Sequence, residues 1–375
     1  MHKLFSATTL SIAARRTVLL LCALVCAGCG PRVVDTAPPL PELCPPVEDR
    51  ESIQWFDAVI EEEREELLRW CAAVGPPVFE APGVVSTPVP LDSLAVVTWN
   101  THVGGGALEY FIRQLRTGVL TGGRRVDHFV ILLQETFRDG DEIPADLPRE
   151  ALHAGEIFPE RELGIRRDIR RVAIEEGLHA FYVPSMRNGL DRVPREDRGN
   201  AILSTLPLSD YRAWVLPLRQ QRRVTIGASV AGETSAGESW RFCIINVHLD
   251  NRTGLNTFFR SFSRVRERQT EYLLSHIPGT EAAVLGGDLN TWMGEGEEPA
   301  VRRIREEFAE PAAHPVHGTL KFGAILERQT DFLFFRLPEG WRARYRRING
   351  TYGSDHYPLL GWVVFGNPEV TEETR

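Results

Sequence analysis

The sequence predicts an α/β sandwich with β-sheets inside and helices outside. From Leu94 onwards, short apolar runs with the length of buried strands alternate with longer amphipathic segments. The hydrophobic fraction of 43% and the charged fraction of 25% are those of an ordinary globular protein. The 375 residues suffice for one large domain, and we recognise no internal repeat and no second core.

The first element is a helix predicted over residues 52–74, where Trp55, Leu67 and Cys71 recur near helical spacing before a Gly-Pro-Pro break at Gly75. Further helices are predicted over 107–116, 162–178 and 256–274. Strands are predicted over 95–99, 129–133, 181–183, 200–204, 211–216, 224–230 and 240–247, and from Ala282, Asp331 and Leu359 onwards. The strands 224–230 and 240–247 form a hairpin around residues 232–237.

The first 29 residues are typical of a secretory signal. Positively charged residues precede an apolar stretch over 17–27, which is too short to span a membrane comfortably. The end of this stretch resembles a bacterial lipoprotein signal in which Cys29 carries the lipid, although Cys26 stands where leucine is usual. We therefore expect an extracytoplasmic lipoprotein anchored to a membrane, in the periplasm or on the cell surface. Simple secretion is the alternative.

Composition indicates the other boundaries. The predicted regions are the signal segment (1–29), a proline-rich tether (30–50), a helical lead-in (51–92), the main α/β domain (93–366) and a tail (367–375). Cys44 and Cys71 flank the first predicted helix, so they can form a disulfide in an oxidising compartment.

The net charge of −8 argues against a protein that coats nucleic acid. Nearly all positive charge is arginine, which suits bidentate recognition of phosphate, although arginine runs are more often solvated surfaces. Three runs, at 166–171, 219–223 and 342–347, can border a groove for an anionic substrate. Arg222 or Arg223 is the strongest candidate for a substrate contact, because the pair leads into a strand beside the strand that precedes His248.

Polar residues recur at the carboxyl ends of the apolar strands. In the stretch 282–292, two glycines are expected to end a buried strand and to allow a close backbone approach. Asp288 and Asn290 follow and can point to the same side, although a simple turn is the alternative. Residues that share such a position are Asn100, Glu135, His248, Asp288, Asn290, Asp355 and His356. At one rim of a sheet, they would suit a hard cation and an anionic ligand.

Seven short motifs carry a resemblance to a known family. They are Thr98-Trp99-Asn100, Leu133-Gln134-Glu135-Thr136, the run 198–204, Asn246-Val247-His248-Leu249, Gly287-Asp288-Leu289-Asn290, the run 330–334 and the run 354–358. In this order, over roughly residues 94–364, they resemble the endonuclease/exonuclease/phosphatase superfamily, which includes DNase I, AP endonucleases, inositol polyphosphate 5-phosphatases and bacterial sphingomyelinases. The resemblance implies a four-layer α/β/β/α sandwich of the DNase I type.

The resemblance also implies a metal site. Glu135 would be the main Mg²⁺ ligand, with Asn100 on the metal or on a phosphate oxygen, and Asp355 as a ligand of a second metal position. Mn²⁺ or Ca²⁺ can take the place of Mg²⁺ at such oxygen ligands. Two residues after Asn100 stands His102, where AP endonucleases carry an acid. His102 either meets the substrate or faces solvent.

The implied reaction is in-line attack of water on a phosphoester. Asp288 would orient or deprotonate the water, and Asn290 would fix the water or the phosphate. His356 would bind the phosphate and accept or share a proton, with Asp331 orienting its ring. His248 would donate a hydrogen bond to the phosphate or protonate the leaving oxygen. Asn200, from the motif at 198–204, would contact substrate.

The substrate class stays open between alternatives. A nuclease-like phosphodiesterase acting outside the cytoplasm is favoured, since the arginine runs suit a polyanion. A phospholipid or small-molecule phosphodiesterase or phosphatase is the alternative, because a tethered enzyme would meet such substrates at the membrane. A non-catalytic binding module is less expected, because every matched catalytic position carries a competent residue. The expected partners are therefore nucleic acid or phospholipid, and the membrane through the lipid anchor; no protein partner is predicted.

Overall fold

The computed structural model describes residues 53–57, 61–83, 89–145, 165–188, 195–219, 221–251, 260–291, 298–311, 318–322 and 326–366. The signal segment, the tether, the tail and the predicted lipid site Cys29 lie outside these ranges. Cys71 is disulfide-bonded, and Cys44 of the predicted pair also lies outside them. Within the described ranges, each helix is too short or too polar to cross a lipid bilayer.

The described chain forms fifteen strands and five α-helices. The strands are β1 (Gln54–Asp57), β2 (Val78–Glu80), β3 (Ser93–Asn100), β4 (Phe129–Asp139), β5 (His179–Arg187), β6 (Glu196–Ser204), β7 (Ser209–Val215), β8 (Val224–Glu233), β9 (Ser239–His248), β10 (Ala283–Asp288), β11 (Leu320–Phe322), β12 (Leu326–Arg328), β13 (Asp331–Arg336), β14 (Arg342–Arg347) and β15 (Leu359–Val364). The helices are α1 (Glu61–Ala72), α2 (Leu108–Thr117), α3 (Ile169–Glu176), α4 (Arg260–Ser275) and α5 (Pro299–Arg305), with a 3₁₀ helix at Val119–Thr121.

Two large sheets form the body of the protein. The seven-stranded sheet has the order β14-β15-β3-β4-β6-β5-β2, and the six-stranded sheet has the order β1-β7-β8-β9-β10-β13. Two central pairs, β3 with β4 and β9 with β10, are parallel, so the carboxyl ends of these strands share one edge in each sheet. The motif residues at these ends are therefore brought to the same rim of the sandwich.

Two hydrophobic clusters account for the layering. One contains side chains of both sheets, such as Val96, Leu132, Ile244 and Val284, and fills the space between them. The other joins the opposite face of the seven-stranded sheet to α2 and α3 through residues such as Phe111. Burial of residues from both faces of the central strands explains their nearly continuous apolar sequences. The predicted sandwich of inner sheets and outer helices is confirmed.

Three predicted elements differ from the structure. The helix predicted over 52–74 is wrong at its start: β1 pairs in parallel with β7, and Phe56 stacks on Trp214 with ring centroids 5.4 Å apart, so tertiary pairing overrides the helical spacing. The helix predicted from residue 162 begins at Ile169, because the Asp168 side chain accepts the backbone N–H of Arg171 as an N-cap.

The strand predicted to end at Leu133 instead continues to Asp139. The predicted hairpin at 224–247 is present as β8 and β9. The short strands β2, β11, β12 and β14 and the helix α5 were not predicted.

Candidate active site

Three neighbouring strands of the six-stranded sheet align three polar residues side by side. Asp288, the last residue of β10, stands opposite His248 of β9 and opposite Asp331 of β13. All three are buried, with exposed fractions of 4% or less. The strand register therefore produces a row of two carboxylates and one imidazole at the end of the sheet.

The glycines before Asp288 allow this packing without ending the strand, contrary to prediction. Gly287 has φ 153°, and a Cβ there would lie 1.8 Å from the carbonyl oxygen of Val247 in the neighbouring strand. A Cβ at Gly286 would lie 2.7 Å from Leu333 and 2.8 Å from Leu132 of the facing sheet. The predicted close backbone approach is thus confirmed at Gly287.

Asp331 orients His356 by a direct hydrogen bond of 2.8 Å from Nδ1 to Oδ2. Thr330 Oγ1 donates to the same carboxylate oxygen, and the backbone N–H of Asp331 donates to Thr319 Oγ1. Although burial opposes it, the negative charges of Asp331 and Asp288 raise the pKa of His356 to about 10. His356 is therefore an imidazolium at neutral pH, which can donate hydrogen bonds but cannot accept a proton.

Asp288 is held by two donors. The backbone N–H of Asn290 donates to Oδ1 at 2.8 Å, and the Asn100 side-chain amide donates to Oδ2 at 3.0 Å across the space between the sheets. His356 Nε2 lies 3.8 Å from Oδ2. Burial first, and then the charge of Asp331, raise the pKa of Asp288 to about 7. This value suits a group that takes up a proton from water near neutral pH.

His248 is held by Arg223, one of the two arginines singled out in the sequence. Arg223 Nη1 lies 3.1 Å from Nδ1 of the ring, and Nη2 bonds Gln221 and Asn251. Burial first, and then the Arg223 charge, lower the pKa of His248 well below its usual value. Arg223 Nη1 also lies 3.3 Å from Nε2 of the ring. Nε2 faces Asp288 Oδ2 at 3.7 Å and Glu135 Oε1 at 3.8 Å.

Glu135 lies in a β-bulge rather than at a strand end. The register between β4 and β6 shifts between Leu133 and Thr136, and Glu135 has φ 50°. A bulge re-aims a side chain that regular alternation would direct elsewhere. The Glu135 carboxylate accepts no hydrogen bond from a described residue. This half-buried oxygen ligand is therefore available to a cation.

Asp355, the third predicted metal ligand, pairs with His102. His102 Nδ1 lies 2.8 Å from Asp355 Oδ1. This hydrogen bond raises the pKa of His102 and, although burial opposes it, lowers that of Asp355. His102 and Val103 both have positive φ, at 51° and 54°, a strained conformation for a buried β-branched valine. The loop after Asn100 thus presents His102 to the site, one of the two placements that the sequence left open.

The oxygen ligands fit a hard divalent cation. Asn100 Oδ1 accepts the backbone N–H of His102 at 3.0 Å and keeps a second lone pair, and Glu135 supplies an unbonded carboxylate. Ligand atoms of Asp288, Asp331 and His356 also lie within 4.8 Å of one another. In that second group the Asp331–His356 hydrogen bond engages one atom of each partner, so we favour Glu135 and Asn100 as the ligands.

Two residues predicted to contact substrate, Arg222 and Asn200, instead donate hydrogen bonds to backbone carbonyls inside the protein. Arg222 is 1% exposed, and its guanidinium donates to the carbonyls of Pro184 and Ser185, which argues against a substrate contact. Asn200 is buried, and its amide donates to Val224 O at 2.7 Å, joining β6 to β8 of the other sheet. Asn290 Nδ2 donates to Leu249 O at 3.0 Å beside the row.

A polar bridge beneath the row was missed by sequence reasoning. Gln134 Nε2 donates to Asn246 Oδ1 at 2.7 Å and to Thr98 Oγ1 at 3.1 Å, and Asn246 Nδ2 donates to the carbonyls of Leu133 and Ala201. The bridge connects the two sheets directly below the site. Its signal was present in the sequence, since Asn246 stands inside an otherwise apolar strand.

Comparisons with known proteins agree with this architecture. A model described as the Endonuclease/Exonuclease/phosphatase family matches residues 97–364. An endonuclease/exonuclease/phosphatase from Beutenbergia cavernae DSM 12333 superimposes with a TM-score of 0.52 at 17% identity, over 74% of this chain and 72% of that one.

Two further structures superimpose with lower scores. An AP endonuclease from Archaeoglobus fulgidus gives 0.43 at 17% identity, over 72% of this chain and 98% of that one. A sphingomyelinase C from Streptomyces griseocarneus gives 0.41 at 18%, over 72% and 99%. A search among curated proteins found no match. At these identities, the structural likeness concerns the fold alone.

Proposed function

Since the chain belongs to the endonuclease/exonuclease/phosphatase family, we propose that it is a divalent-cation-dependent phosphodiesterase of the nuclease type. The observation that carries the proposal is the row His248–Asp288–Asp331, completed by His356 and by Asn100 from the other sheet. A hydrolase acting on phosphoesters follows from the family. The metal and the nucleic-acid substrate are our inference.

Asp288 is the group that takes the proton of the attacking water. Its pKa of about 7 makes the carboxylate both present and basic enough at neutral pH. Asn100 and Asn290 fix the carboxylate by the two hydrogen bonds to its separate oxygens. The orientation of the base is therefore set before substrate binds.

His356 and His248 serve the phosphate in different ways. His356 is doubly protonated, and its Nε2 donates to the phosphate while Asp331 holds Nδ1. His248 is neutral, so it donates a hydrogen bond through its single ring N–H without being an effective acid. The positive charge of His356 and the dipole of His248 stabilise charge that develops on the phosphate oxygens.

Glu135 and Asn100 would hold the cation, for which Mg²⁺, Mn²⁺ and Ca²⁺ are candidates. Bound there, it would supply charge neutralisation on the non-bridging phosphate oxygens and on the leaving oxygen. The ligand count of one carboxylate and one amide oxygen suits a cation that keeps several waters.

The test uses the full-length protein and a substrate panel of single-stranded DNA, RNA, bis(p-nitrophenyl) phosphate, sphingomyelin and phosphoinositides. We expect Mg²⁺-dependent cleavage of nucleic acid and of bis(p-nitrophenyl) phosphate, abolished by EDTA and by Asp288→Ala. Activity that survives both treatments would refute the metal and the role of Asp288. Cleavage of lipid substrates alone would refute the nuclease assignment in favour of a phospholipid phosphodiesterase.

We also propose that the enzyme acts outside the cytoplasm from a lipid anchor at Cys29. The signal pattern of the first 29 residues supports this proposal. Metabolic labelling with a fatty acid should mark the wild type and not Cys29→Ala, and the variant should leave the membrane fraction. Equal fractionation of the two proteins would contradict the anchor.

A further inference from the structure

A pocket of about 210 Å³ lies on the helix-facing side of the seven-stranded sheet. Its floor is Leu360 and Trp362 of β15, and Thr121 of the 3₁₀ helix lies at its wall. Leu360 and Trp362 belong to the cluster that packs under α2, whereas Val363 belongs to the core between the sheets. The pocket is therefore separate from the row of catalytic residues.

Three arginines line this pocket: Arg124, Arg344 and Arg346. The Arg124 guanidinium lies 5.1 Å from the ring centroid of Trp362, and Arg346 donates to the carbonyl of Leu120. Neither Arg124 nor Arg344 forms an ion pair with a described residue. We call these residues, with Trp362, the arginine pocket.

Most arginines of the other two runs singled out in the sequence are engaged, whereas Arg171 and Arg219 are exposed. Arg166 pairs with Glu196 at 2.7 Å, Arg167 pairs with Glu109 at 3.2 Å, and Arg170 pairs with Glu80. Arg222 and Arg223 are buried, as described above. In a protein with a net charge of −8, the arginine pocket is thus a place where exposed arginines without a described ion-pair partner lie close together.

Strand β14 places its arginines at a regular spacing. Arg342, Arg344 and Arg346 are exposed, while Ala343 and Tyr345 face the core between the sheets. Alternate residues of a strand lie about 6.7 Å apart. Successive phosphates of an extended single nucleic-acid strand have a similar separation, so β14 can match one phosphate with each exposed arginine.

The arginine pocket lies within reach of the catalytic row. Leu360 follows His356 by four residues, so their Cα atoms are at most about 14 Å apart. Helix α2 begins beside the loop after Asn100 and ends next to the pocket, a length of about 15 Å. Tyr110 on α2 is 50% exposed and lies against Tyr352, with ring centroids 6.1 Å apart. Aromatic side chains between site and pocket suit the bases of a bound strand.

We propose that the arginine pocket is a second binding site for the phosphodiester backbone of the single-stranded nucleic acid that the enzyme cleaves. The inference rests on the proposed nuclease function. It assigns phosphate contacts to Arg124 and Arg344, with Trp362 holding the Arg124 guanidinium in position. A duplex is not the expected ligand, because a single row of arginines along β14 can contact the phosphates of only one nucleic-acid strand.

The first test measures binding without turnover. The full-length protein is titrated into a fluorescein-labelled oligothymidylate of 12 nucleotides, in EDTA, over a series of salt concentrations, with anisotropy as the readout. We expect Arg124→Gln/Arg344→Gln to bind at least about tenfold more weakly, with the slope of log K against log salt reduced by about 1.4. The matched control is Arg264→Gln/Arg302→Gln, which removes the same charge from exposed positions of α4 and α5. It should bind like the wild type.

The second test separates the pocket from the chemistry. The pocket variant should lose at least about tenfold in kcat/KM on long single-stranded DNA and keep the wild-type rate on bis(p-nitrophenyl) phosphate, which is too small to reach the pocket. Circular dichroism and thermal melting establish that both variants fold.

Oligonucleotide binding equal to that of the wild type would overturn the proposal. It would also be overturned if the pocket variant lost binding only to phosphatidylglycerol vesicles, since the pocket would then recognise a lipid headgroup. Failure of the wild type to hydrolyse any diester would refute the proposed function alone, because the anisotropy measurement requires no catalysis.

Discussion

Two buried clusters of charged residues in the described part of the chain differ in how fully their hydrogen bonds are satisfied. In the first cluster, Arg138 and Asp197 form a fully buried pair on β4 and β6. Arg138 Nη1 donates to Pro76 O at 2.6 Å, and Asp197 accepts Tyr182 Oη–H at 2.8 Å and the backbone N–H of Gly75 at 2.9 Å. Every nitrogen of the guanidinium and both oxygens of the carboxylate are bonded.

The second cluster, His248, Asp288, Asp331 and His356 of the proposed active site, is equally buried and incompletely bonded. Asp331 Oδ1 has no hydrogen-bond partner among the described residues, and Asp288 and His356 stand 3.8 Å apart without a direct bond. The pKa of Asp288 is raised because burial and the neighbouring Asp331 make the ionised carboxylate less stable than it would be in water. A buried cluster with all its hydrogen bonds satisfied contributes to the stability of the fold, whereas one with unsatisfied polar atoms keeps those atoms available to a ligand.

The largest expected effect is on catalysis. Asp288→Asn should reduce kcat on bis(p-nitrophenyl) phosphate by about 10⁴-fold, or about 5.5 kcal/mol of barrier, because the amide cannot accept the proton of the attacking water. Initial rates at saturating Mg²⁺ measure the loss. Asp127→Asn, which removes an exposed carboxylate, is the control and should be fully active. A loss below tenfold would mean that Asp288 is not the base.

The saturated cluster should respond in stability instead. Asp197→Asn leaves Arg138 buried without its counter-charge and should lower the free energy of unfolding by about 3–5 kcal/mol. Urea denaturation followed by fluorescence measures the change. The control Asp141→Asn removes an exposed partner of Arg195 and should cost less than about 0.5 kcal/mol. A variant of Asp197 with normal stability and reduced kcat would reverse the roles that we assign to the two clusters.

A third substitution tests whether Asp331 controls the protonation of His356 in the unsaturated cluster. Asp331→Asn keeps a hydrogen bond to His356 and removes the larger of the two nearby charges that raise the pKa of the imidazole. We expect kcat to fall by about 100-fold, because the imidazolium no longer donates to the phosphate at neutral pH. The upper pH limit of activity should also move to lower pH, since the pKa of His356 falls. An unchanged pH profile would show that Asp331 does not control the protonation of His356.

The smallest effect concerns stability against pH. The pKa of Asp288 is 3.8 when unfolded and about 7 when folded, so the unfolded state releases its proton first and the native state loses stability as pH rises from 4 to 7. Asp288→Asn cannot ionise and avoids this loss. In EDTA, the stability of the variant relative to the wild type should therefore increase between pH 4 and pH 8, by about 1.4 kcal/mol for each unit by which folding raises the pKa of Asp288. A gain independent of pH would refute the raised pKa.

The sequence was most informative at the carboxyl ends of the strands, where polar and charged residues recur. Asp288, Asp331 and His356 were predicted to act together, and the strand register brings them within hydrogen-bonding or near-contact distance. The apolar runs also predicted the inner strands, because burial on both faces produces continuous hydrophobic sequence.

Other features depended on contacts that no local pattern encodes. The bulge at Glu135 adds one residue to a strand and leaves the hydrophobic run intact, so the strand was predicted to end too early. The pair His102–Asp355 joins residues far apart in the chain. Residues 54–57 belong to a segment with helical spacing of apolar side chains. They nevertheless pair as a strand with the edge of β7, and the ring of Phe56 stacks on Trp214.

The hydrogen bonds from Gly75 and Pro76 to the Asp197–Arg138 pair bear on where the stable folded unit begins. Similarity to the family starts at residue 97, but the backbone of the preceding segment hydrogen-bonds to a buried ion pair inside the region of similarity. A Cβ at Gly75 would lie 2.4 Å from Arg138 Nη2, so that position accepts only glycine without rearrangement. Trimming the chain at the edge of the family match would therefore remove two hydrogen bonds from the buried Arg138–Asp197 pair, and we expect the shortened protein to be less stable.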